Sequence, residues 1–291
     1  MTAMASRGAI FAFGVALLLA THARAQVNVI KFGYSGDSGP DKWGNLSQEF
    51  AACSQGTSQS PVNILKEING SVPYRKMMPV QGDYIDPNAT LVNNGFNIAL
   101  RFNEKVGSIF VRQKKHELVH MVWHTPSEHT IDDERHECMH EFPAELQLIH
   151  LSEDGGIAIV AILYKYGDDE DKLLLQFKDQ LSQLAQQNCS SDQETHIPIG
   201  VLNTKALRRQ YTKFWSYTGS LSTPPCTENV NWIIVGKIRE ISEDQVAALQ
   251  APLAAEYKNN SRPVQPMNGR SVFRYDLAKE KRITNGYYDD D

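Results

Sequence analysis

His120-Met-Val122-Trp-His124-Thr-Pro-Ser-Glu128-His129 and, further on, Glu145-Leu-Gln147-Leu-Ile149-His150 are the two stretches on which the reading of this chain turns. Both are rich in the β-branched, aliphatic and aromatic residues that favour strands. Side chains two apart on a strand share a face and stand about 6.6 Å apart, so Val122 and His124 look the same way. That spacing suits two imidazoles gripping one metal ion. Only His124 supplies one: valine has no lone pair, and Gln147 offers at most a neutral amide oxygen. His120 shares the face but stands about 13 Å from His124 along the strand, which makes it a weak substitute ligand.

Working outward, further strands are expected over Leu118 to His124, Glu145 to Leu151, Gly156 to Tyr166 and Val230 to Glu240. Helices are few. One is expected over Glu170 to Gln187, where Leu174, Phe177, Leu181 and Leu184 recur at helical spacing behind an acidic first turn. A second begins at Ser242, whose hydroxyl caps with Gln245 three residues on, and ends near Leu249 before Pro252. No internal repeat or Pro/Gly/Ser-rich linker divides the chain, so a single strand-dominated domain, mainly β in the α+β sense, is expected.

The ends carry different signals. Arg7, an apolar run from Ala9 to Ala20 and Ala23-Arg24-Ala25 have the layout of a secretory leader cut after Ala25. The run is too short to span a bilayer, and no later stretch is longer, so no membrane span is expected. Residues 26–280 would form the domain and 281–291 an acidic tail ending Tyr287-Tyr288-Asp289-Asp290-Asp291. Two of the 29 Lys and Arg residues lie in the leader, which holds no Asp or Glu; the remainder carries 27 basic against 34 acidic residues, net −7. That charge argues against nucleic acid as a partner. Sequons at Asn45, Asn69, Asn88, Asn188 and Asn259 and four cysteines suit an oxidising, secretory setting, outside the cell or in a vacuole. Four cysteines permit three pairings.

Taken together these segments resemble the alpha-class carbonic anhydrases over nearly the whole chain after the leader. Phe32-Gly-Tyr34, Gly39-Pro40 and Trp43 resemble the family's opening, and Gln59-Ser-Pro61-Val-Asn-Ile64 its Gln-Ser-Pro signature. Gly219-Ser-Leu221-Ser222-Thr223-Pro-Pro225 resembles the substrate-side loop and Val230-Asn-Trp232 the strand after it. Asn260-Ser-Arg262-Pro-Val-Gln265-Pro266 and Asn268-Gly-Arg270 complete the pattern. The resemblance implies a large central, mostly antiparallel, twisted sheet with a few short peripheral helices. It also implies a zinc site in which three histidines hold an ion whose water attacks carbon dioxide.

At those three ligand positions this chain has Val122, His124 and Gln147. Glu128 matches the family's buried carboxylate, and Ser222 stands where a threonine passes it a proton; serine can donate and accept alike. His129 and Glu145 match residues that hold the ligands in orientation, although an internal hydrogen bond from Gln147 or a nearby backbone amide would occupy Glu145 equally well. Phe96 stands where fast members carry a proton-exporting histidine. Ile149, Ile159, Leu221, Thr223, Val230 and Trp232 match the pocket wall, and Cys53 with Cys226 the secreted members' disulfide. Cys138 and Cys189 match nothing.

The pattern is most similar to the plant branch containing dioscorins and nectarin-type proteins. It implies a secreted protein with zinc-dependent carbon dioxide hydration lost or very weak and no metal cofactor, serving storage or binding, with a small molecule or anion in the cleft. Two rivals stand beside it. One is an active carbonate dehydratase whose zinc is held by an atypical set that draws in His120 and Gln147. The other is thiol redox chemistry of the dehydroascorbate reductase kind at Cys138 or Cys189. In Glu134-Arg-His136-Glu-Cys138-Met-His140-Glu141, an extended strand would bring His136, Cys138 and His140 to one side as a metal site or reactive thiol, but a solvated hairpin tip is expected, because metal ligands need a prepared geometry.

Overall fold

The computed structural model describes residues 31–65, 80–132, 135–136, 139–140, 142–187, 194–208 and 210–276. The segments expected to form a leader and an acidic tail, with Asn69, Asn188, Cys138 and Cys189, lie outside the described residues. The strands are β1 Asn63–Ile64, β2 Asn88–Asn93, β3 Ile98–Phe102, β4 Ser108–Val111, β5 Lys114–His124, β6 Thr130–Ile131, β7 Arg135–His136 and β8 Met139–His140. They continue with β9 Ala144–Leu151, β10 Ile157–Tyr166, β11 Thr195–Val201, β12 Lys213–Ser220, β13 Glu228–Val235, β14 Arg239–Ile241 and β15 Phe273–Asp276. The α-helices are short: α1 Trp43–Leu46, α2 Ala52–Gln55, α3 Lys178–Gln186 and α4 Glu243–Gln250.

Eleven strands form one sheet in the order β11-β2-β3-β5-β9-β10-β13-β12-β15, with β4 beside β5 and β14 beside β10. Strand β10 runs parallel to β13 and β14; the other pairings in the sheet are antiparallel. Alternation along the central strands splits the core in two. Met121, Trp123, Leu146, Leu148, Val160 and Ile162 face one side and pack with Phe177, Leu181, Leu184 and Leu249 of the helical layer. Val122, Ile149, Ile159, Ala161, Trp232 and Ile234 face the other, where they meet Val62 and Ile64. Each large apolar side chain so buried contributes roughly 1.5–3 kcal/mol.

Two expectations need adjustment. The stretch Val230 to Glu240 is two strands: Ala161 pairs with Ile234 and Tyr164 with Arg239, so three steps along β10 are matched by five on the other side and residues between β13 and β14 loop out. The helix expected over Glu170 to Gln187 begins later, because Asp171 caps the turn by accepting from the backbone N–H of Leu173 and Leu174. A 3₁₀ turn, Leu174–Phe177, then precedes α3. Of the two readings of the segment around Cys138, the pairing agrees with the hairpin: Arg135 pairs with His140 and His136 with Met139 in antiparallel strands. Helix α4 starts as expected, with Ser242 and Gln245 closing a reciprocal capping box.

Candidate functional site

Strands β5 and β9 lie side by side at the centre of the sheet, and their register assembles the site. Val122 stands opposite Gln147, His124 opposite Glu145, and His120 opposite Ile149, with a bulge at Val119. The row is flanked by small residues: Ala99 of β3 pairs with Val122, and Ala161 of β10 with Gln147. Residual exposure shows which face keeps contact with solvent: His120, Val122 and Ile149 keep 8%, 7% and 6%, whereas Met121 and Leu148, facing the other side, keep none.

Hydrogen bonds fix the polar floor. The Gln147 amide nitrogen donates to Glu128 Oε2 at 2.8 Å and to Glu145 Oε1 at 3.1 Å. Carboxylates accept only, which assigns the nitrogen to that side and turns Oε1 the other way. His124 Nδ1 donates to the backbone carbonyl of Asn260 at 2.7 Å, so in the neutral ring Nε2 carries the lone pair. Glu128 Oε1, 3.6 Å from His124 Nδ1, accepts from the Arg262 backbone N–H at 3.1 Å. Among the described residues no hydrogen bond joins Ser222 to Glu128, although both are buried.

Glu145 is the most heavily bonded group here. Its Oε2 accepts from the Ser127 hydroxyl and the backbone N–H of Glu128 and His129; its Oε1 accepts from His129 Nδ1 at 2.9 Å as well as from Gln147. Burial pushes the Glu145 carboxyl up, but the charge and hydrogen bonds of His129, aided by His124, outweigh it and hold it down at about 2. Beyond His129, Tyr217 Oη lies 2.7 Å from Nε2 and 2.9 Å from Ser60 Oγ. Burial raises the Tyr217 hydroxyl well above its ordinary range. Among the described residues His120 has no such network; burial, with Arg101 nearby, lowers its pKa to about 4 and keeps it neutral.

The N-terminal segment is locked to this floor from behind. The Arg262 guanidinium donates to Gln59 Oε1, the Ser60 carbonyl and the Cys53 carbonyl, and lies 5.4 Å over the Trp43 ring. Burial lowers the Arg262 pKa to about 10. Cys53 and Cys226 form a disulfide, Cα atoms 5.0 Å apart, closing 173 residues of chain. Phe96 is half-buried, its ring 4.8 Å from Phe32 and its carbonyl accepting from the Asn260 side chain.

The structure places His120, Val122, His124, Glu145 and Gln147 on one face of β5 and β9, and the loop residues Glu128 and His129 bond to Gln147 and Glu145 there. Ile159, Val230 and Trp232 are sealed in the core beneath, while Ile149, Leu221 and Thr223 retain exposure. The side chains of Asn45, Asn88 and Asn259 are exposed. Asn260 and Arg262 hold His124 and Glu128 in place; in the sequence they were legible only as parts of a motif, with nothing marking their partners more than 130 residues away. Chemically, Val122, His124 and Gln147 offer one imidazole and one amide oxygen. That set does not fit a zinc ion held by three protein ligands. Among the described residues no group of three or more His, Cys, Asp or Glu is placed to hold a metal ion, and no helix is long and apolar enough to cross a membrane.

Residues 38–276 match the family description of eukaryotic-type carbonic anhydrases. The chain is 34% identical to alpha carbonic anhydrase 7 of Arabidopsis thaliana over 82% of each chain. It is 32% identical to dioscorin DB3L of Dioscorea polystachya, over 83% of this chain and 84% of that one. A crystal structure of a dioscorin complexed with ascorbate superposes with a TM-score of 0.77 at 31% identity, covering 84% of this chain and 98% of that one.

Proposed function

The chain belongs to the eukaryotic-type carbonic anhydrase family, and from that membership we propose that it is a secreted binding or storage protein whose cleft holds a small molecule without effective zinc-dependent hydration of carbon dioxide. The observation that carries the reading is the donor set. Val122 and Gln147 occupy, beside His124, the positions the family resemblance assigns to zinc ligands. A zinc centre needs three protein ligands to bring its water's pKa near neutrality, and one imidazole with one neutral amide does not supply them.

The surroundings favour the same reading. The Gln147 amide takes Glu128 Oε2 and Glu145 Oε1, the carboxylates that in a working centre would orient the attacking hydroxide and a ligand histidine. Phe96, at the proposed proton-export position, has no titratable group. The dioscorin relative was solved with ascorbate, which favours small-molecule binding on this fold. Secretion rests on the leader-like first 25 residues, the sequons and the Cys53–Cys226 bridge. The relatives named as carbonic anhydrases favour the rival reading, an active carbonate dehydratase. Stopped-flow carbon dioxide hydration by the purified chain, with zinc supplied, tests the proposal. Rates at the uncatalysed background support it, and turnover that a zinc chelator abolishes overturns it.

A further inference from the structure

The orientation of two side chains defines what the cleft floor can bind. Both hydrogens of the Gln147 amide are held by Glu128 and Glu145, so its Oε1 faces away from them. His124 Nδ1 is held by the Asn260 carbonyl, so Nε2 faces away from it. The two groups are adjacent, since Gln147 and His124 both approach the carboxylate of Glu128, at 2.8 and 3.6 Å. Neither outward atom has a hydrogen-bond partner among the described residues, and neither is among the sealed polar atoms left without one. The slight exposure that Gln147 and His124 retain, 3% and 1%, therefore includes those two atoms.

Gln147 and His124 thus present two lone pairs and no N–H of their own. An anion placed against these two atoms would meet acceptors, with the carboxylates of Glu128 and Glu145 in the next layer, and would be repelled. A hydrogen-bond donor is complemented, and a positively charged one is favoured further by those carboxylates and by the overall negative charge. The Arg262 charge offsets part of that of Glu128, but its Nη donors are taken by Gln59, Ser60 and Cys53. Beside the acceptors Val122, Ile149 and Leu221 belong to one apolar cluster.

We propose that this cleft binds a small organic cation, a primary ammonium on an apolar body, with the ammonium donating to Gln147 Oε1 and His124 Nε2. The proposal rests on the zinc-free binding reading above and names its ligand class. Ascorbate, an anion at neutral pH, is not the class this floor selects.

Three aromatic probes of similar size test the proposal on the intact protein at pH 7: benzylammonium, benzyl alcohol and benzoate, followed by nitrogen-15 shifts of the His124 ring and the Gln147 side chain. Benzylammonium is expected to move both signals and to bind at least about tenfold more tightly than benzyl alcohol, as loss of a charge-assisted hydrogen bond implies. Benzoate and ascorbate are expected to move neither. The proposal is overturned if an anion shifts these atoms, if the alcohol matches the ammonium, or if no probe shifts them. Val122→Phe, which fills the space beside the two acceptors, is expected to weaken benzylammonium at least tenfold; unchanged affinity in the folded variant contradicts the site. Metal content measured on the same sample separates the two readings. A bound zinc overturns the functional proposal, whereas zinc-free protein indifferent to benzylammonium overturns only this one.

Discussion

Gln147 stands directly opposite Val122 across the β5–β9 ladder and turns both amide hydrogens away from the cleft, to Glu128 and Glu145. Glutamine here joins two buried carboxylates that would otherwise face each other with fewer donors between them. Gln147→Leu keeps the volume but deprives both of a hydrogen. A lost hydrogen bond to a charged group costs about 1.5–3 kcal/mol, and partial compensation by water entering the cleft lowers the sum, so destabilisation of about 2–4 kcal/mol is expected. Urea unfolding midpoints measure it.

Restoring the ligand set tests whether the scaffold around it is otherwise that of a zinc centre. Val122→His with Gln147→His places imidazoles beside His124, with Glu145 ready to accept from the second. The double variant is expected to retain about one zinc per chain after dialysis, as a three-histidine site does. Metal analysis checks this; no gain in a folded variant means that the cleft itself has a different shape.

The Cys53–Cys226 bridge closes 173 residues, and the chain-entropy estimate for a loop of that length is about 5 kcal/mol. Cys53→Ser with Cys226→Ser is expected to lose about 3–5 kcal/mol and to loosen the Arg262 anchor, whose Nη2 donates to the Cys53 carbonyl. Thermal unfolding with and without reductant measures the loss, and reductant should leave the double variant unchanged.

Acid weakens the fold through His150. Its Nδ1 donates to the Ala158 carbonyl and its Nε2 accepts from the Tyr84 hydroxyl at 2.8 Å. Burial, with the like charges of His116 and His120, depresses its pKa from 6.5 to about 3. Above pH 6.5 the ring is neutral in both states and its contribution is intact. As the pH falls toward 3, only the unfolded chain takes up the proton, so stability drops by up to about 1.4 kcal/mol per pH unit. His150→Gln can meet both neighbours without titrating. Its stability is expected to fall less steeply between pH 5.5 and 4.5, by about that amount per unit. An unchanged slope rules out His150 as the source.

Much of this was legible in the residues and some was not. The runs around His124, Ile149 and Ile159 announced central strands because they are apolar on both faces, and Ser242 with Gln245 announced α4 by its capping chemistry. The division between β13 and β14 was hidden, because the looped residues Gly236, Lys237 and Ile238 do not interrupt the apolar pattern strongly. Alternation placed Val122 and His124 on one face. It could not reveal that Glu128 takes its donors from Gln147 and the Arg262 backbone and none from Ser222, since those partners meet only in the folded chain.

Coordination decides between a protein that holds a ligand and an enzyme that makes hydroxide. The most direct measurement is the zinc content of the chain purified under native conditions without added metal. A single imidazole with one amide oxygen is expected to leave well under about 0.1 zinc per chain. One tightly held zinc per chain, lost together with hydratase activity in His124→Ala, would contradict the account.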